Sequence, residues 1–113
     1  MKTTILALAA AAAMIATPAL ADPIVGNWRT GEGGSVAINP CGSAFCVKVT
    51  AGEHSGKQIG RFNKEGDRYA GQITDPAEDR TYRGAAWFEG NSLKMRGSVL
   101  GGLVGRTETW TRR

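Results

Sequence analysis

Residues 35–50 read Ser-Val-Ala-Ile-Asn-Pro-Cys-Gly-Ser-Ala-Phe-Cys-Val-Lys-Val-Thr. Apolar and polar side chains alternate on both sides of a glycine-serine turn signal, which is the period-two pattern of an antiparallel hairpin. Val36 and Ile38 share one face with Phe45, Val47 and Val49, whereas Ser35, Asn39, Lys48 and Thr50 share the other with both sulfurs. Setting Cys41 opposite Cys46 puts Asn39 opposite Lys48, Ile38 opposite Val49 and Val36 opposite Ala51. Pro40 has no N–H to donate and suits a non-hydrogen-bonded position. Cys41 and Cys46 then form a hydrogen-bonded pair with Cα atoms about 5.5 Å apart, inside disulfide range.

The alternation recurs along the chain in short runs about ten residues apart, each closed by a turn signal. The runs predict strands at 24–30, 34–40, 45–51, 57–63, 68–74, 80–89, 92–99 and 103–112. No helical period survives beyond residue 21. Eight strands in simple succession, in a chain with 16 glycines, predict an all-β domain, a small antiparallel up-and-down eight-stranded β-barrel. Tyr69, Gly71 and Ile73 fall on one inward row. Tyr82, Gly84, Ala86 and Phe88 form another, and Leu93, Met95, Gly97 and Val99 a third. The last strand offers two rows, Gly105-Thr107-Thr109-Thr111 or Val104-Arg106-Glu108-Trp110, and neither is a clean core face.

Ahead of the strands stands an export signal. Met1-Lys2 supplies a positive charge, Ile5 to Ile15 is an alanine-dominated apolar run, and Pro18 breaks it. Ala19-Leu20-Ala21 is the small-x-small pattern after which signal peptidase cuts. Residues 1–21 are expected to form a cleaved signal-peptide helix, leaving 22–113 as one barrel domain in the periplasm or secreted. The run is shorter than the roughly 20 apolar residues of a spanning helix, so no transmembrane segment is expected in the mature chain.

In an exported protein two cysteines read as a disulfide. Two thiols with the single His54 cannot fill a tetrahedral metal site, and the four-residue spacing is not that of a redox CxxC pair. Closing so short a loop contributes about 2 kcal/mol. Formal net charge is +4, one unit less without Lys2, and the basic residues are spread along the strands. Nucleic-acid binding, which needs a clustered basic patch, is not expected.

Gly26-Asn27-Trp28 matches the GxW that opens lipocalin-like barrels. Val36-x-Ile38, Cys41-Gly42, Cys46, Asp75-Pro76, Thr81-Tyr82, Leu93-x-x-Arg96-Gly97 and the run from Gly105 to Arg112 are similar to the DUF2147 family. That family comprises exported bacterial domains of unknown function with a lipocalin-like barrel, and the resemblance spans nearly the whole mature chain. Many of its members carry a longer segment, with Asp-x-x-Asn-Pro and arginine-proline motifs, where this chain has only Ala51 to Asp67. The chain therefore resembles a short variant. In lipocalins a basic residue near the last strand packs over the first-strand indole, and the resemblance implies Arg106 or Arg112 for that role.

The chemistry-bearing residues are sparse. His54 sits in a turn between Glu53 and Ser55. Asp75, Glu78 and Asp79 read either as a calcium loop or as an Asp-Pro turn with solvated charges, and they lack the glycine and terminal bidentate glutamate of a calcium loop. No nucleophile elbow, zinc-protease or phosphate-loop motif occurs. No enzymatic activity, cofactor or metal is expected. Trp28 reads as a cavity floor or as a barrel plug, and Phe45, Tyr69, Tyr82, Phe88 and Met95 are candidates for the same cavity or plug. Arg83, Lys94, Arg96 and Arg106 read as an outer basic stripe. Two functions fit. One is a binding protein that takes a small apolar or amphipathic ligand, or an envelope component. The other is an interaction or inhibitor protein that uses its outer face, its loops or the short Asp22-Pro23 arm.

Overall fold

Each alternating run pairs with the next in the chain, and the eighth returns to the first. The computed structural model describes residues 22–113, and the leader expected at 1–21 lies outside them. Strands β1 (Gly26–Arg29), β2 (Ser35–Cys41), β3 (Ala44–Val49), β4 (Gln58–Glu65), β5 (Arg68–Asp75), β6 (Arg80–Glu89), β7 (Ser92–Val99) and β8 (Val104–Arg112) close into one antiparallel up-and-down barrel in that order. The all-β eight-stranded barrel read from the sequence is the observed fold. β6 and β7 have the predicted bounds. β1 begins two residues later than predicted, at Gly26, because the chain before it turns back across the barrel end.

The β2–β3 hairpin keeps the predicted faces but not the predicted register. Cys41 pairs with Ala44, Asn39 with Cys46, Ile38 with Val47 and Val36 with Val49. Gly42, at φ 69°, lets the chain reverse within two residues, which slides the pairing by two. A two-residue slip leaves every side chain on its face, so the hydrophobic pattern is blind to it. The disulfide consequently runs diagonally across the outer face, with Cα atoms 5.8 Å apart. Arg61, opposite Cys46 on β4, places Nη1 3.5 Å from Cys41 Sγ and 3.6 Å from Cys46 Sγ.

A second departure lies in β4. Lys48 pairs with Gln58 but Val47 pairs with Gly60, so Ile59 is an extra residue. This bulge resets the alternation and turns Ile59 into the barrel, 7 % exposed.

One inward row crosses the sheet as Phe45, Phe62, Gly71, Gly84, Gly97 and Arg106. An eight-stranded barrel has room inside for little more than side chains, and the glycines make that room. A Cβ on Gly84 would stand 2.8 Å from Cε2 of Phe62. One on Gly71 would collide with the Arg61 carbonyl oxygen, whereas one on Gly97 would meet only ordinary contacts, 3.5 Å from Ile73. The fully buried Phe62 ring therefore occupies space that Gly84 vacates, while Gly71 admits the backbone of β4. It anchors a core that includes Ile24, Trp28, Ile38, Val47, Tyr69, Leu93 and Trp110.

Gly71→Ala is expected to cost about 2–3 kcal/mol through the backbone shift it forces, while Gly97→Ala leaves stability within about 1 kcal/mol of the parent. Urea unfolding of the two variants checks this: the Gly71 variant shows the lower midpoint, with unchanged slope.

Candidate functional site

The two ends of the barrel differ. At one end the chain closes on itself. Residues 22–25 fold back, with Val25 N–H donating to Asp22 O at 2.9 Å, and bury Ile24 completely. Trp28 Nε1 donates to Ile24 O at 3.0 Å. Arg112, at the end of β8, lies with Cζ 4.1 Å from the Trp28 ring centroid and donates to Val25 O at 3.0 Å and Pro23 O at 2.7 Å. Trp28 thus sits within the plug, and the cation over its indole is Arg112. The Asp22-Pro23 arm is folded against the barrel rather than extended for an inhibitory contact.

Polar groups seal this end. The Tyr69 hydroxyl donates to the Asp22 carboxylate, which also accepts from Ile24 N–H at 3.0 Å and Lys64 Nζ at 2.9 Å. Burial pushes the Asp22 carboxyl up, but the hydrogen bonds from Tyr69, Ile24 and Lys64, with the Lys64 charge, outweigh it and hold the pKa below the ordinary value. Burial, and then the hydrogen bond to Asp22 and its charge, raise the Tyr69 phenol well above the usual tyrosine range. Phe45 and Phe88 meet the Tyr69 ring edge-on at 5.9 and 6.4 Å. The candidate set therefore divides: Trp28, Phe45, Tyr69 and Phe88 pack the closed end.

The other end is open. The connections after β1, β3 and β5, with the ends of β7 and β8, surround a cavity of about 660 Å³, within the range of roughly 300–1,000 Å³ typical of small-ligand sites. Tyr82 and Met95 line it, with Val36, Val49, Ile59, Ile73 and Trp110. Here β8 resolves its ambiguity. Trp110 is 2 % exposed in the core, and alternation from it turns Glu108, Arg106 and Val104 toward the cavity, where all three are lining residues. Arg106 therefore does not belong to the outer stripe. Its partner across the strand is Gly97 on the inward row, not Arg96.

Glu108 is already engaged, accepting from Trp110 Nε1 at 2.6 Å and from Gly31 N–H at 3.0 Å. Arg106 is exposed at the cavity wall. The recess thus has apolar inner walls and a charged rim, where Glu32, Glu53 and Asp75 join Glu108 among the lining residues, and Arg106 is the lining arginine, without a salt-bridge partner among the described residues. Arg83, Lys94 and Arg96 keep their outward positions. Lys94 Nζ donates to Thr109 Oγ1 at 2.6 Å, and Arg96 Nη2 donates to Gly102 O at 3.1 Å.

The remaining candidates lie on the rim. His54 Nε2 stands 3.9 Å from Glu53 Oε2 at the cavity mouth. Asp75 Oδ1 accepts from Ala77 N–H at 2.9 Å and Glu78 N–H at 3.3 Å, the geometry of an aspartate turn. Asp79 pairs with Lys57 at 3.2 Å. Among the described residues no three His, Cys, Asp or Glu side chains gather as a metal site requires. Sequence reasoning missed Phe62, Ile59 and Trp110 as definite interior residues. The bulge hides the first two. The charges flanking Trp110 hide the third, although a tryptophan in the last strand was a usable signal.

A sequence model of the family described as "Uncharacterized protein conserved in bacteria (DUF2147)" matches residues 26–112, which is the whole barrel from the first residue of β1 to the last of β8. No curated protein and no solved structure matches the chain.

The closed end generates a pH dependence. A carboxyl with a lowered folded pKa stabilises above its unfolded value, about 3.9, and that contribution is lost as pH falls through the folded pKa. Asp22→Asn is expected to cost about 1–2 kcal/mol at neutral pH and to flatten the loss of stability below about pH 4. Melting temperatures of parent and variant across that window check both.

Proposed function

The chain belongs to the DUF2147 family, and from that premise we propose that it is a non-enzymatic binding protein for a small amphipathic molecule with an anionic head. The apolar body enters the open end of the barrel between Ile59, Ile73, Tyr82, Met95 and Trp110, and the head is held by Arg106. One observation carries this reading: an arginine with no salt-bridge partner among the described residues, on the wall of a recess whose inner part is lined by Val36, Val49, Ile59, Met95 and Trp110, while the carboxylates of Glu32, Glu53 and Asp75 stand on the loops and strand end at its rim. A buried guanidinium without a partner is costly, whereas one at an open mouth keeps its hydration until an anion replaces it. The guanidinium fork suits a carboxylate or a phosphate equally. Glu108, the other charge on the inward row of β8, does not compete for it, because its oxygen is held by Trp110 and Gly31.

The leader expected at residues 1–21 would deliver the barrel across the inner membrane, to a compartment where amphiphiles released from the envelope occur. Oxidising conditions there suit the Cys41–Cys46 bond.

The test is a fluorescence titration with a medium-chain fatty acid and with the alcohol of the same length. Both ligands are expected to bind, the acid more tightly. Arg106→Gln should weaken the acid about tenfold, the loss of one charge-assisted hydrogen-bonded pair, and leave the alcohol unchanged. Met95→Trp, which fills the cavity floor, should abolish both. A parent protein that binds neither compound, or an Arg106→Gln variant that weakens both equally, rejects the reading.

A further inference from the structure

The large apolar side chains that are exposed among the described residues all lie in one segment, the corner between β7 and β8. Val99 is 36 % exposed, Leu100 71 %, Leu103 85 % and Val104 56 %. Scattered exposed leucines are ordinary, but a contiguous group marks a surface that meets something apolar. The backbone here holds the leucines outward. Leu100 has φ 55°, followed by Gly101 at 65° and Gly102 at 96°, so a bulky residue occupies the left-handed region that favours glycine. Such a conformation persists where the surroundings impose it, and it clusters at functional sites.

The corner is fixed to a basic surface. Arg96 donates to the carbonyl of Gly102 at 3.1 Å, and the outward row beside it runs Arg61, Gln72, Arg83 and Ser98 across four strands. Lys94 stands two residues from Arg96 on the same face. The acidic residues on the outward rows of β4 to β7 are Glu65 and Glu89, both at the far, closed end, and Glu89 is bonded to Trp87 Nε1 at 2.9 Å. The acidic residues on the other three open-end connections are Glu32, Glu53, Glu78 and Asp79, with Asp75 at the end of β5 and Glu108 turned into the cavity. Leucines that project beyond the strand ends, backed by arginines along the shaft, match the depth profile of a lipid surface: apolar groups below the headgroups and cations among them.

We propose that the β7–β8 corner and the adjoining outer face dock this barrel on a bilayer that contains anionic lipid. Leu100 and Leu103 enter the acyl boundary, and Arg83, Lys94 and Arg96 lie against the phosphates. The docking goes beyond ligand binding in the cavity and does not depend on it, but it sets the mouth of the barrel beside the membrane.

The experiment uses protein made from the whole gene in a bacterial host, in the form that the host accumulates. It is floated with phosphatidylcholine vesicles, with or without phosphatidylglycerol. Each variant is compared with the parent, so any affinity contributed by residues 1–21 is common to both. The parent is expected to bind the phosphatidylglycerol vesicles and to release as salt is raised. Leu100→Gly with Leu103→Ser should lose about tenfold or more, and because glycine accepts φ 55° freely, the barrel stays folded. Arg83→Gln with Lys94→Gln should lose a similar factor on the anionic vesicles only, each cation near such a surface contributing a factor of about five. Fatty-acid titration of the leucine variant should be unchanged, which separates this proposal from the cavity reading. A parent that floats with neither vesicle, or variants that bind as the parent does, overturns it. So does a parent dimer in sedimentation velocity that dissociates in the leucine variant, because the corner then covers a second copy of the chain.

Discussion

The ring of Phe62 needs somewhere to lie, and the rest of the structure is arranged around that need. Eight strands enclose too little space for an aromatic side chain on every inward position. Gly71 and Gly84 give up their side chains opposite Phe62, one because the backbone of Arg61 comes too close and the other because the ring itself is there. Below this layer the aromatic rings of Trp28, Phe45, Tyr69 and Phe88 pack against one another. The third glycine of the row, Gly97, meets Ile73 and Tyr82 only at ordinary contact distance, and above it the interior opens to solvent. One cross-strand row thus sets where the packed half stops and the recess begins.

The fold was legible in the sequence because it depends on alternation, which the chain displays in β2, β3 and β5 to β7 and, past its bulge, in β4. Register was not. A slip of two residues in the first hairpin changes no side chain's face, and the turn at Gly42 that produces it is a local backbone matter. The site was half legible. Tyr82 and Met95 follow from the inward rows, and both line the recess. Arg106 was read onto the outer stripe and the row of Glu108 was left open, because a row that holds two charges does not look like a core. The reason they are tolerated is positional: the row passes from the buried Trp110 out to the solvent at Val104, so polarity rises along a single strand. Ile59 was hidden for a different reason, since an inserted residue breaks the period by which it would be found.

Charge is divided sharply over the molecule. The closed end uses its ionic groups internally, with Asp22 shared between Tyr69, Lys64 and the backbone of Ile24, and Arg112 spent on two carbonyls and the Trp28 ring. These groups specify how the chain end is seated. Toward the open end Arg83 and Arg96 point outward and Arg106 lines the cavity, and of the three Arg96 alone has a side-chain hydrogen bond among the described residues.

The closure between β1 and β8 consists of two paired residues, Trp28 with Arg112 and Arg29 with Thr111, extended by the bonds from Arg113 N–H to Asn27 O and from Gly31 N–H to Glu108. Every other neighbouring pair of strands matches at least four. If the cylinder unzips, it does so along this line. Yet β1 is continuous with the segment that stoppers the barrel, and the indole at its centre is the stopper's anchor. Peeling the first strand therefore pulls out the stopper in the same movement and floods the aromatic half with water. The weakest seam is coupled to the best-packed region, so the molecule has no cheap partial opening and lets go all at once.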